Sequence, residues 1–135
     1  MSVQEGAAVL MADGTTQPIQ NCKRGQRVFT VVAGRLVPGW INFSSSYFEN
    51  ETITLIAGPC SVTVEPTALV GYGTEVTRYK LAAMLRPGDE IKVVDDGIVS
   101  IEAISCITTN EGSSRIYDVN IEGGGNVVAN GVVVR

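Results

Sequence analysis

The chain has no histidine among its 135 residues. That absence closes every mechanism in which an imidazole is the general base, the proton shuttle or the metal ligand. Cysteine is scarce as well. Cys22, Cys60 and Cys106 are odd in number and far apart, without the close pairs that a zinc site uses. They read as reduced thiols packed as small apolar groups, in a reducing compartment. Charged residues make up only 18% of the chain, and the net charge of −4 is spread without acidic or basic blocks. A phosphate backbone is held by clustered lysine and arginine, so nucleic acid is not an expected partner. There is no run of about eighteen apolar residues, so no membrane span is expected. The start, Met1-Ser2-Val3-Gln4-Glu5, lacks the basic region of a signal peptide. The expected location is cytoplasmic or virion-associated.

What the chain does have is turn residues and β-branched runs. Apolar content of 44% with 15 glycines reads as globular, and the length suits a single domain spanning 1–135. The last stretch is the most informative. Ile116–Ile121 alternates, Val127-Val128-Ala129 follows a glycine run, and Asn130-Gly131 leads into Val132-Val133-Val134. Asn-Gly between β-branched runs predicts a type I′ hairpin, and unbroken valines predict a final strand covered on both faces. Gly14 and Gly97 mark further tight turns, after Asp13 and Asp96. The aspartates Asp13, Asp89, Asp95 and Asp96 sit beside glycines, where they hydrogen-bond their own backbone.

Strands are also expected at Ala7–Met11, Thr15–Ile19, Arg27–Val32, Arg35–Val37, Glu51–Ala57, Ser61–Glu65, Glu90–Val94 and Ile98–Ile107. The last of these is long and is expected to bend. Ser44–Ser46 reads as a loop. Trp40 and Phe48 are expected in the core, an exposed patch with Tyr47 being the alternative. The spacing of Leu81, Met84 and Leu85 predicts one short helix over Thr77–Leu85, ended by Pro87-Gly88. No internal repeat shows. The sum is a compact all-β fold of about ten short strands and one short helix.

Four segments in this order resemble the Hint fold of inteins and Hedgehog autoprocessing domains. They are Gly6–Gly14 with Pro18-Ile19 and Gly25–Val28; Ser61–Val70; Leu81–Asp89; and the C-terminal stretch from Tyr117. The first is similar to the block Gly-Thr-x-Val-Leu-Met-x-Asp-Gly, the second to the Thr-x-x-His block. The third is similar to the Pro-Gly-Asp step, and the fourth to Tyr-Asp-x-x-Val through His-x-Phe-x-x-Asn-Gly to His-Asn. The resemblance covers nearly the whole chain. It implies a pseudo-twofold β horseshoe with Met1–Leu10 and Val127–Arg135 close together.

The residues of the family's chemistry carry over poorly. Ser2 stands where the resemblance places the N-terminal nucleophile. With Met1 ahead of it, it reads as an ordinary serine after an initiator. Thr63 matches the threonine of Thr-x-x-His, but Pro66 holds the histidine position and has no proton to give. Asp118 matches the aspartate after tyrosine and also suits an exposed strand. Gly125 and Arg135 stand where two more histidines are called for, and no asparagine follows Arg135 to cyclise. The expectation is a catalytically inactive structural or protein-interaction module, with a larger assembly such as a phage or viral particle as its setting. A protein partner or a second copy is expected, with no cofactor, metal, membrane or small-molecule substrate. The alternatives are an autoprocessing domain using Ser2, with Thr63 and Asp118 in support, and an engineered, inactivated intein.

Overall fold

Alternation of β-branched and polar residues runs further than the turn signals suggest. The computed structural model describes residues 2–76 and 78–135, and twelve strands run through them. Two of these are long: β5 spans Arg35–Ala57, 23 residues, and β10 spans Ile98–Ile121, 24 residues. Straight, the longer would reach roughly 80 Å at about 3.3 Å per residue. A chain of this size packs into a radius of gyration of about 14 Å, so both arms must bend. Register shifts between Ile104 and Cys106, Glu111 and Ser114, and Asn120 and Ile121 supply the bends. Between them the two arms pair antiparallel, from Ile104 opposite Ala57 to Ile121 opposite Ile41. Ser44–Ser46 is therefore not a loop: it lies in β5, opposite Val119, Asp118 and Tyr117. Small polar side chains suit an exposed ribbon whose ladder a partner strand supplies.

The shorter strands are β1 (Ser2–Gln4), β2 (Ala8–Leu10), β3 (Thr16–Pro18), β4 (Arg27–Val32), β6 (Cys60–Val64) and β7 (Leu69–Gly71). They continue with β8 (Tyr79–Leu81), β9 (Glu90–Asp95), β11 (Val127–Ala129) and β12 (Val132–Val134). Hydrogen-bonded neighbours run β3-β2-β11-β12-β9-β10-β1-β6-β5-β4, with β7 joining β12 to β8. The expected helix over Thr77–Leu85 is replaced by β8 and a single 3-10 turn, Ala82–Met84; Thr77 lies outside the described residues. Leu85 is buried while Met84 is exposed. One turn has too few hydrogen bonds to persist as an α-helix, and pairing with β7 takes the segment instead.

The fold is built twice. Each half places a short hairpin (β2–β3, β7–β8) before a 3-10 turn (Ile19–Asn21, Ala82–Met84). A glycine corner, a short strand (β4, β9) and a long arm (β5, β10) follow. The hydrogen bonds repeat at a constant offset. Gly25 N–H donates to Ile41 O and Ile41 N–H to Gln26 O. Gly88 N–H donates to Ile104 O and Ile104 N–H to Asp89 O. Side chains repeat too, with different chemistry. Gln17 donates to Gln26, whose Oε1 also accepts from Lys23 N–H; Lys80 pairs with Asp89, whose Oδ2 also accepts from Arg86 N–H. The pseudo-twofold horseshoe is thus present in the backbone, although the sequence shows no repeat.

Valine and isoleucine fill the space between the halves. Val3, Val9, Val64, Ile91, Val127 and Val134 are all fully buried, each contributing about 1.5–3 kcal/mol. Val132, Val133 and Val134 are covered on both faces as expected. Trp40 and Phe48 are not in the core: they are 48% and 64% exposed. Arg27 lies over the Trp40 ring, and Arg115 lies against the rings of Phe48 and Tyr117. β-branched side chains already fill the interior, so the large rings stay outside under arginines. The ends meet through Asn130, whose N–H donates to Ala8 O while its side chain accepts from Ala8 N–H.

Candidate functional site

The position of Ser2 is fixed by the pairing of β1. That strand is threaded between β6 and β10, with Ser2 opposite Asp118 and Val3 opposite both Tyr117 and Val64. Glu65 N–H donates to Ser2 O at 3.3 Å, which continues the β1–β6 ladder past Val64. Ser2 is consequently 2% exposed. Its hydroxyl lies 2.7 Å from Tyr47 Oη, and that oxygen lies 2.5 Å from Glu65 Oε2. A phenol has one proton. The carboxylate can only accept, so Tyr47 donates to Glu65 and accepts from Ser2. The direction of the chain is therefore Ser2 to Tyr47 to Glu65. Burial, and then the hydrogen bond to Glu65, push the Tyr47 hydroxyl up to about 12.

Thr63 takes no part in that chain. Its hydroxyl lies 2.7 Å from Thr54 Oγ1, which also accepts from Asn110 Nδ2. The result is a polar row across β6, β5 and β10 beside a recess of about 230 Å³ lined by Gln4, Glu5, Gly6, Ala7, Thr63 and Asn130. Pro66 turns the chain after β6, and its carbonyl accepts from Ala83 N–H.

Asp118, Gly125 and Arg135 come together. With Asn120 they line a separate recess of about 190 Å³. Gly125 sits at φ +156, a conformation that side-chain-bearing residues rarely adopt. The backbone at this position has been shaped around glycine, and a histidine there would be strained. Arg135 exchanges backbone hydrogen bonds with Leu69 in both directions, and its guanidinium lies over the Tyr79 ring. Tyr79 in turn accepts from Asn126, a buried amide that also bonds both backbone groups of Val31. Asp118 is the common member, opposite Ser2 in the β1–β10 register and lining the same recess as Arg135.

A depression of about 430 Å³ between Met11 and Arg27 includes Asp13, whose carboxylate is held by Thr15 N–H and hydroxyl. Asp96, Gly97, Asn130 and Gly131 have the positive φ expected of their turns, as has Gly14. No group of three or more metal-ligating side chains occurs among the described residues. Tyr47 and Glu65 are the members that sequence reasoning missed. Glu65 stands between Thr63 and Pro66 in the quoted block, but nothing local marks Tyr47, whose place depends on the pairing of β5.

The backbone is similar to that of inteins. It matches the TvoVMA intein with a TM-score of 0.87 at 20% identity, over 98% of this chain and 96% of that one. It matches the bacterial intein-like domain from Clostridium thermocellum with 0.82 at 16% identity, over 99% and 97%. The DnaB intein from Synechocystis sp. PCC 6803 gives 0.82 at 14% identity, over 100% and 98%. No family model matches the sequence, and no curated protein is significantly similar to it. The fold is Hint-like, of the all-β intein type.

Proposed function

We propose that this chain is a Hint-fold module that does not splice and that works through its surface, as a structural or protein-interaction element. A larger assembly, such as a phage or viral particle, is the setting that suits such an element. The observation that carries the reading is the content of three positions: Pro66, Gly125 and Arg135 stand where the resemblance calls for histidine, and the sequence has none. Each missing proton-transfer group costs ~10²–10⁴ in rate, so several together leave little above background. The φ of Gly125 adds to this, since the backbone there no longer suits a replacement side chain. The exposed rings of Trp40 and Phe48, each against an arginine, have the composition enriched at protein interfaces.

The test is a fusion with one reporter ahead of Ser2 and another after Arg135, an asparagine being supplied directly after Arg135. Intact fusion is the expected product in neutral buffer. Ligated reporters, or release of the second reporter, would overturn the reading.

One observation favours a second reading, an acyl shift at Ser2. The serine hydroxyl is buried and hydrogen-bonded into a chain that ends on a carboxylate.

A further inference from the structure

The long ribbon is wider than two strands along only part of its length. β5 is flanked by β4 over 35–40 and by β6 over 53–57, and Gly25 and Gln26 hold Ile41. Over 42–52 its only ladder among the described residues is the one with β10. From 43 to 49 that ladder runs without a register shift, so the opposite edge presents a regular row of N–H and C=O groups. Proteins usually blunt such an edge with lysine, proline, a bulge or a covering segment. Here 42–52 contains no Lys, Arg, Pro or Gly, and most of its residues are exposed. The other open edge, β10 over 105–113, is bracketed by two register shifts and carries no aromatic ring.

Side chains alternate along a strand. Tyr47 turns to Ser2, and Phe43 and Glu49 share its face; Phe48 lies on the other face, against Arg115. Phe43 and Phe48 are 50% and 64% exposed, so an added strand meets one ring on each face. Glu49 and Glu51 supply the charge. Neither forms an ion pair among the described residues, and Glu51 lies opposite Glu111. A second copy of this chain would bring the same carboxylates and a further net charge of −4, which works against self-pairing. A cationic strand meets complementary charge instead.

We propose that β5 over 42–52 is completed by an added strand from a basic partner protein. That strand is an extended segment with lysine or arginine beside Glu49 and Glu51 and apolar side chains beside Phe43 and Phe48. The inference rests on the surface-acting reading above and names its partner class. Main-chain pairing along the open edge supplies the attachment, the two rings cover the added strand's side chains, and the carboxylates select its charge.

The test titrates the isotope-labelled full chain with a short capped peptide alternating lysine and valine, read by amide NMR and hydrogen exchange. Slowed exchange at amides within 42–52 is expected, with an affinity that falls as salt is raised. The same peptide with proline in place of valine keeps the charge but cannot pair as a strand, and it should not bind. Glu49→Lys with Glu51→Lys should weaken binding by ~10-fold or more. That variant should accept a glutamate–valine peptide instead, which also shows that it is folded. Absence of protection over 42–52, equal binding of the lysine–proline peptide, or equal affinity in the charge-reversed variant overturns the proposal. Protection over 42–52 that grows with protein concentration and needs no peptide gives the edge to a second copy, and overturns it too. Perturbation confined to Arg27 and Trp40 overturns the proposal while leaving the surface-acting reading in place. Failure of the non-splicing reading shows in ligated or C-terminal product from the fusion, which none of these outcomes produces.

Discussion

Gly131 does two things that no other residue can do at once. At φ +82 it completes the Asn130-Gly131 turn, and a Cβ there would lie 2.6 Å from Cys60 Sγ and 3.1 Å from Val94 O. Gly97 holds the matching place in another turn at φ +74, with nothing within 4 Å of its would-be Cβ. Gly97→Ala should therefore cost only the backbone strain, about 1–3 kcal/mol. Gly131→Ala should add a similar overpacking term, about 1–3 kcal/mol. Equal shifts in melting temperature for the two variants would mean that Cys60 yields. The turn was legible because Asn-Gly is a local signal. The crowding by Cys60 was not, since β6 is remote in sequence. Ser2 and Asp118 were legible as positions for the same reason that Tyr47 was not. Their places follow from motif order, whereas the Tyr47 hydroxyl reaches Ser2 only after β5 has paired with β10.

Among elements, local signals locate the hairpins well: the apolar pattern over Arg27–Val32 has the ends of β4, and Asp95-Asp96-Gly97 marks the turn between β9 and β10. The long arms look like separate pieces in the sequence because serines and glycines interrupt their pattern, while long-range pairing carries the strand across them. Apolar spacing at 81, 84 and 85 imitated a helix that the pairing of β7 with β8 pre-empts. The repeated corner offers a test at this scale, because its two copies differ in charge. Arg86 N–H, and then Lys80, hold the Asp89 carboxyl below its ordinary value. A depressed carboxyl stabilises the fold above its unfolded value and loses that contribution as pH falls through the folded one. The matching Gln17–Gln26 pair has no such response. Asp89→Asn should therefore flatten the acid side of the melting-temperature profile, and Gln26→Ala should shift the profile without changing its slope. An acid slope that survives Asp89→Asn would place the sensitivity elsewhere.

For the molecule as a whole, the halves are mutually dependent. The β5 arm finds its long partner in β10, while β1 and β2 find theirs in β10 and β11. Fragments 2–66 and 67–135 should each lack a dispersed amide NMR spectrum alone and regain one on mixing. A dispersed spectrum from either fragment alone would show that the halves close independently. No composition or periodicity announces this dependence, because it lies in which strand pairs with which.

The placement of β12 also bears on timing. Val132–Val134 pairs with β11, β9 and β7, and β11 in turn completes β2. During translation, at about 5–20 residues per second, the N-terminal strands emerge first and wait with an open edge. Closure comes only once Val134 has cleared the ribosome, so the exposed partners of these valines are the surfaces a nascent-chain chaperone would meet.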